Sequence, residues 1–370
     1  MLETLPGSSG RVMRKSHKNG IRWTLHPASR FDLVAPEWQA VCNVSARSPL
    51  LSSDFVLTAL QHFGRGDELV CLAENDAGLV AATILQRCNL LCWNVFQPSQ
   101  MPLGPWLQVA QLDASSAAQS LIQAIPGPAA MLGVTGLDPQ LCPRPHGPRA
   151  NALDWFSTGA IDLPPDEPSY FASLDPKPLA GLRRRLRKAT KEIGEVRLTL
   201  QTEPDQVRGF INQYAAIESR SWKGHSGTAL TPDNQQCAFY ADLLDKLAKR
   251  GQARMYTLAF GERVAAAQIA VAGTETLYLL KTAFDPDLSS LGPGVMMHSC
   301  ITQHVYQQDT PMRRIELYGR LNQSQMMWIT DTRPLFHANF YASPILATAH
   351  RRLNAFHARR AQFGPSTAVK

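Results

Sequence analysis

Residues 289–294, Ser289-Ser290-Leu291-Gly292-Pro293-Gly294, are well suited to hold an anion. They follow an apolar segment, Leu277 to Phe284, and precede a helical pattern. A helix start offers unpaired N–H donors and the positive end of the helix dipole, which suits a pyrophosphate. Gly292 and Gly294 bring no side chains, so backbone can approach the anion closely, and the two serines add hydroxyl donors. Taken alone, Gly-Pro-Gly is an ordinary tight turn ahead of a helix. Behind three consecutive strand patterns, the phosphate reading outweighs it.

Two other positions could do proton chemistry. The run Glu218-Ser219-Arg220-Ser221-Trp222-Lys223-Gly224 closes a helical pattern. Glu218 could take a proton from an amine nucleophile, and Trp222 and Lys223 could wall a pocket; the spacing by itself favours a plainer reading, a capped helix end with a packed tryptophan. Lys281 interrupts an apolar strand, where a charge is costly unless it is paired or lines a cleft. Either its ammonium reaches solvent from an edge strand, or it lies in a cleft beside an acyl donor or an acidic acceptor. The cost of burial does not separate the two. Under the cleft reading Lys281→Met preserves folding and cuts turnover, because methionine keeps the volume of the stem.

Elements must place these residues. In the second half, Leu182, Leu186, Ala189 and Ile193 keep a helical stripe, and Val196, Leu198 and Leu200 alternate as in a half-buried strand. Thr202, Pro204 and Asp205 start a helix whose apolar stripe is Val207, Phe210, Ile211, Tyr214 and Ile217. A second helix spans about Asn234 to Ala248. Strands follow at 253–260, 264–272 and 276–284, then a loop, a helix at about 294–308 and a strand from Arg314 to Tyr318. The order β-α-α-β-β-β-α-β is the one expected of an acyl-CoA N-acyltransferase domain.

The first half repeats part of this. After a strand at Ile21 to Leu25 and helices near 36–42 and 53–63, a hairpin joins Leu69–Ala73 to Leu79–Leu85. It parallels the hairpin of Met255–Phe260 and Val264–Ala270, and Leu103-Gly104-Pro105 is echoed by Leu291-Gly292-Pro293. Residues 66–110 are therefore expected to superpose on 251–298, with the working site in the second copy, where alone Gly flanks the Pro on both sides. The boundaries expected are a flexible basic tail over 1–19, a degenerate N-terminal domain over 20–165, a C-terminal domain with the donor site over 166–345, and a basic helix and tail over 346–370. The Pro-rich stretch Leu163-Pro164-Pro165-Asp166-Glu167-Pro168 divides the domains.

Composition bounds the rest. A chain of 370 residues suits two domains. With 44% hydrophobic and 18% charged residues it is globular rather than disordered. No apolar run reaches the roughly 18 residues of a transmembrane helix, and the basic start lacks the apolar core of a secretory signal. The seven cysteines are scattered and lack zinc spacing, so they are expected as buried free thiols in a reducing cytoplasm, with no metal site. The net charge of +7 favours anionic partners without choosing among phosphates, nucleic acid and a membrane surface. The run Arg183 to Lys191 lacks interleaved aromatics and a reader motif and reads as a solvated helix face; Arg351 to Arg360 reads as a similar basic amphipathic helix, able to touch an anionic membrane.

Glu218-x-x-Ser221-Trp222-Lys223-Gly224, Gly227-Thr228-Ala229, Val264-Ala265-Ala266, Tyr278-Leu279-Leu280-Lys281-Thr282-Ala283-Phe284-Asp285 and Ser290-x-x-Pro293-Gly294, in that order, resemble the CelD/BcsL-type GNAT acetyltransferases. That family is linked with bacterial cellulose and exopolysaccharide synthesis, and its tandem architecture is similar to FemAB-type transferases. The likeness covers about residues 20 to 345. It implies an α/β (α+β) fold of two tandem GNAT-like domains, each a mixed, mostly antiparallel twisted sheet flanked by helices. It implies a cytoplasmic acyltransferase that takes acetyl-CoA, or another acyl-CoA, as co-substrate and an amine or hydroxyl, small-molecule or saccharide, as acceptor, in company with polysaccharide-synthesis proteins. The pantetheine would pair with the edge of 276–284 and the pyrophosphate would sit on 290–295. Donor binding then falls to Thr282, Ala283, Phe284, Ser290, Leu291, Gly292, Pro293, Gly294 and Val295, acceptor binding to Trp222, Lys223 and Tyr278, and catalysis to Glu218, Lys281 and Tyr318. One segment departs from the family: Ser324-Gln325 stands where Tyr-Lys is usual, and Leu321 where Asp is, although Trp328 is in place. Two alternatives follow, a FemAB-like transferase using aminoacyl-tRNA with the 182–191 helix on the RNA, and a catalytically degenerate scaffold subunit.

Overall fold

The computed structural model describes residues 13–16, 20–221, 230–231, 234–308 and 312–363. The first half contains β1 (Met13–Ser16), β2 (Arg22–Pro27), α1 (Phe31–Val44), α2 (Ser53–Phe63), β3 (Leu69–Asn75), β4 (Gly78–Arg87), β5 (Cys92–Val95), β6 (Trp106–Gln108), α3 (Ala114–Ala124), β7 (Met131–Leu137) and β8 (Ala150–Asp162). The second contains α4 (Glu167–Ser173), α5 (Pro176–Glu192), β9 (Val196–Gln201), α6 (Pro204–Ser219), α7 (Gln235–Lys249), β10 (Ala253–Phe260), β11 (Arg263–Ala272), β12 (Thr276–Phe284), α8 (Pro293–Tyr306), β13 (Arg314–Leu317), β14 (Asp331–Tyr341) and α9 (Pro344–Phe363). The helix expected to start at Thr202 is instead opened by Glu203 and Gln206, which form a reciprocal capping box.

The strands make one sheet whose two ends have the same order, β2-β3-β4-β5-β7 and β9-β10-β11-β12-β13. In each end the last pair, β5 with β7 and β12 with β13, is parallel and is linked through a helix, α3 or α8; the other pairs are antiparallel. The repeated hairpin thus reflects a repeated strand order. At the centre the halves interlock. β14 lies between β7 and β8, and β8 lies between β14 and β13, so the last strand of each half pairs with a strand of the other. On one face α1, α2, α6 and α7 share a single apolar cluster, with Phe55 of α2 against Phe239 of α7 at 5.9 Å. The other face is covered by α3 in the first half and by α4, α5 and α8 in the second.

The echo of Leu-Gly-Pro does not survive in three dimensions. Leu103-Gly104-Pro105 leads into β6, which pairs with β4, whereas Leu291-Gly292-Pro293 leads directly into α8. Gly104 is there for a different reason: its N–H donates to the Gly136 carbonyl of β7 at 3.1 Å, and a Cβ on it would overlap the Thr135 carbonyl oxygen. Beyond the short β5–β7 pairing, the chain from Gln97 to Pro105 is therefore laid against β7. The N-terminus of α3 is also filled, because the Asp113 carboxylate accepts from Ser116 N–H at 2.8 Å. Gly104→Ala is expected to destabilise the protein by about 1–3 kcal/mol, the cost of forcing extra volume into a packed site, measured by urea unfolding. A neutral substitution would show that this loop is not held against β7.

Of the cysteines, Cys42, Cys71, Cys142 and Cys237 are buried, Cys92 and Cys300 half-buried, and Cys88 exposed. Expecting all seven to be buried was therefore too broad. Among the described residues no His, Cys, Asp and Glu side chains cluster as a metal site. Nor is any described helix long and apolar enough to cross a membrane.

Candidate functional site

A bulge organises the second half's site. Ile269 of β11 pairs with Lys281 and Ala270 pairs with Leu279, so Leu280 is an extra residue in β12. The bulge reverses the alternation downstream. Leu277 and Leu279 pack on the α8 side, Tyr278, Leu280 and Ala283 on the α6 side, and Lys281 turns to the α6 side as well. Thr282 and Phe284 are left facing the α8 side. β12 pairs with β13 only from Thr276 to Tyr278, against Arg314 to Glu316. From Leu279 onward β12 has no described strand partner on that edge, and the two strands splay apart.

On the α8 side lies a cavity of ≈ 280 Å³ lined by Thr282, Phe284, Ser289, the Gly292–Val295 turn, His298, Asn322, Ser324 and Gln325. Gly292 caps α8 with a left-handed backbone, φ 69° and ψ 52°, and no side chain caps the helix. The N–H groups of Val295 and Met296 bond back to Gly292 O at 3.1 Å each, which leaves the Gly294 N–H ahead of the helical ladder. A Cβ on Gly292 would lie 2.6 Å from Arg185 Nη1. The guanidinium of α5 thus sits directly over this turn, with no carboxylate partner among the described residues. A helix start backed by this arginine offers an anion two sources of positive charge.

His298 lies one helical turn beyond Gly294 and is 8% exposed, and its imidazole ring has no hydrogen-bond partner among the described residues. Burial lowers its pKa from the ordinary 6.5 to about 4, so the ring is neutral and offers one donor and one acceptor to the cavity. Because the folded-state value is depressed, the unfolded chain takes up this proton first as pH falls. The stabilising contribution is complete above about pH 6.5 and is lost toward pH 4, an effect of up to about 3 kcal/mol. His298→Gln is expected to flatten that part of the stability profile in thermal melts between pH 7.5 and 4. An unchanged profile would show that His298 does not titrate there.

The expected donor residues divide. Thr282, Phe284, Gly292, Pro293, Gly294 and Val295 line the cavity. Ala283 and Leu291 are buried in the cores on opposite faces of the sheet, and Ser290 is exposed in the 3-10 turn before α8 while its neighbour Ser289 lines the cavity. Arg185 and His298 were not singled out from the sequence, though a signal existed for each. Arg185 is three residues beyond Leu182 and four before Ala189, on the buried stripe of α5. His298 is four residues beyond Gly294 on one helix face.

On the α6 side, Glu218 and Lys281 meet. Lys281 Nζ lies 2.8 and 3.0 Å from the two Glu218 carboxylate oxygens, and Glu218 also accepts from Leu230 N–H at 2.8 Å. Glu218 is 1% exposed. At Lys281 the β13-side edge of β12 is open, but the ammonium is bound to Glu218 instead of standing in solvent. The Tyr214 phenol beside this pair is held well above its ordinary pKa by burial and by the Glu218 charge. Tyr278 is buried and stacks on Tyr318 with centroids 6.1 Å apart and planes 7° apart. The Tyr318 hydroxyl donates to Asp138 Oδ2 at 2.8 Å. Its phenol is pushed well up by burial and by the negative charges of Asp138 and Glu316. Trp222 and Lys223, with Gly224 and Gly227-Thr228-Ala229, lie outside the described residues.

Residues 177–323 match the family model of an acetyltransferase (GNAT) domain. No curated protein matches the chain. Among solved structures, FemX superposes with a TM-score of 0.54 at 9% identity, over 85% of this chain and 98% of that one. The C-terminal domain (DUF2156) of a candidate lysylphosphatidylglycerol synthetase from Agrobacterium fabrum superposes with a TM-score of 0.53 at 12% identity, over 85% and 93%. A conserved protein of unknown function from Bacteroides thetaiotaomicron gives 0.51 at 11%, over 85% and 97%. At these identities the likeness is one of fold, and it spans both halves. The chain has a mixed α/β fold, residues 177–323 of its second half match a GNAT domain, and its first half repeats the strand order of that half.

Proposed function

We propose that this protein transfers an acyl group from acyl-CoA to an amine or hydroxyl acceptor, with the donor on the α8 side and the acceptor on the α6 side of the β12–β13 splay. The observation that carries this reading is the uncapped, arginine-backed start of α8 beside open strands. The first half closes both equivalent features, with Asp113 in the α3 terminus and Gly104 bonded to β7. Gly294 N–H and Arg185 bind the donor's phosphates, His298 faces its uncharged arm, and the free β12 edge from Leu279 offers backbone N–H to the arm and the carbonyl. The nucleophile attacks the thioester carbonyl carbon, the C–S bond breaks, and the acceptor's proton ends on the thiol. Glu218, held by Lys281, Leu230 N–H and the Tyr214 hydroxyl, ties α6 to β12 and so shapes the acceptor wall; it does not take the proton itself.

Ser324 and Gln325, which depart from the resembled family, line the donor cavity, so their change bears on how the donor is held. A saccharide acceptor in exopolysaccharide synthesis is the acceptor class we favour, on the CelD/BcsL resemblance. A second reading, with aminoacyl-tRNA as donor, is favoured by α5, whose Arg183, Arg184, Arg187, Lys188 and Lys191 are exposed on the helix that also supplies Arg185. Equilibrium binding of labelled acetyl-CoA and of charged tRNA, followed by transfer to a panel of amines and amino sugars, separates the readings. Saturable acetyl-CoA binding with transfer supports the first. Binding of tRNA alone supports the second, and binding of neither overturns both.

A further inference from the structure

We infer that Asp138, a residue of the first half, positions Tyr318 of the second half so that the phenolic oxygen receives the acceptor's N–H or O–H. The inference rests on the acyl-transfer reading above and assigns a task to the half whose own cleft is closed. Asp138 directly follows β7, and its side chain is fully buried. Its carboxylate is fixed by Arg333 of β14, whose Nε lies 3.0 and 2.9 Å from the two oxygens and whose Nη2 lies 2.6 Å from Oδ2. Arg333 Nη2 also donates to Glu316 of β13 at 2.8 Å. A carboxylate anchored in this way holds the Tyr318 proton in place without taking it.

The ring of Tyr318 is fixed as well. Tyr278 stacks on it, and the Arg333 guanidinium lies 5.4 Å from its centroid. With the single O–H committed to Asp138, the phenol's remaining capacity is as an acceptor. Tyr318 is the first residue beyond β13, where that strand leaves β12, and it packs against the α6-side core toward which Lys281 also turns. An amine there donates one N–H to the phenolic oxygen, which turns its lone pair to the thioester carbon. As the C–N bond forms and the C–S bond breaks, the proton lost by the nitrogen passes to the departing thiolate, and Tyr318 keeps its own.

The test is a double-mutant cycle of Asp138→Asn and Tyr318→Phe on the full chain, with acetyl-CoA and a responsive amine. Each single change should lower kcat/KM for the acceptor about tenfold, the worth of one hydrogen bond, while leaving acetyl-CoA affinity unchanged. The double variant should be no worse than Tyr318→Phe. Multiplying losses, or weakened acetyl-CoA binding, would overturn the proposal. If Asp138→Asn does not fold, Asp138→Glu, which keeps the charge for Arg333 but displaces the carboxylate from the phenol, takes its place in the cycle. A second readout needs no turnover: the Tyr318 ring-carbon resonance, assigned by its absence in Tyr318→Phe, should move in the Asp138 variant. An unmoved resonance overturns the proposal, whereas a wild type that binds no acetyl-CoA counts against the donor reading alone.

Discussion

Lys281→Met should destabilise the protein by about 3–5 kcal/mol, the cost of removing one partner of a buried ion pair. Glu218 is almost wholly out of water, and the Lys281 ammonium lies against both of its oxygens at 2.8 and 3.0 Å. Leu230 N–H satisfies one lone pair but cannot neutralise the charge. The sequence alone suggests the reverse, since methionine preserves the lysine's volume. Pairing with a residue 63 positions away makes the charge the larger consideration. Lys281→Met with Glu218→Gln should recover most of the loss, because the amide still accepts from Leu230. Urea unfolding of the two variants decides the matter: a single variant within about 1 kcal/mol of wild type, as for a surface site, would contradict the buried pair.

Gly294→Glu should weaken acetyl-CoA binding by at least about 100-fold, since a like charge set against the donor's phosphates costs several kcal/mol. The fold should tolerate the change. A Cβ at Gly294 meets only Phe284 Cδ1, at an ordinary 3.7 Å. A carboxylate in the first turn of α8 also interacts favourably with the helix dipole, by about 0.3–1 kcal/mol. Lost binding with an unchanged or raised melting temperature is therefore the signature of an anion site. Calorimetry that finds normal affinity would remove α8 from the donor site.

Local patterns made much of this architecture readable. The repeated hairpins, the Gly-Pro-Gly turn and the succession of strands and helices in 196–318 each depend on residues close together in the chain. β8 and β14 were not readable. β8 mixes Asn151, Asp154 and Trp155 with the buried Gly159, Ala160 and Ile161, and its partners β13 and β14 come more than 150 residues later. The Leu-Gly-Pro echo misled because Gly104 meets a close backbone approach while Gly292 meets a left-handed cap. The Glu218–Lys281 pair depends on the bulge at Leu280, without which period-two alternation points Lys281 to the opposite face. Arg185 was hidden inside a basic run whose other members are mostly exposed.

Hydrogen exchange of the full chain with and without acetyl-CoA tests the central claim most directly, because it locates the donor without any substitution. Binding in the second half alone predicts slowed exchange in peptides covering Thr282–Val295 and Asn322–Gln325, with none across Gln97–Asp113. Protection of Gln97–Asp113, or saturating acetyl-CoA with no protection of Thr282–Val295, would contradict the account.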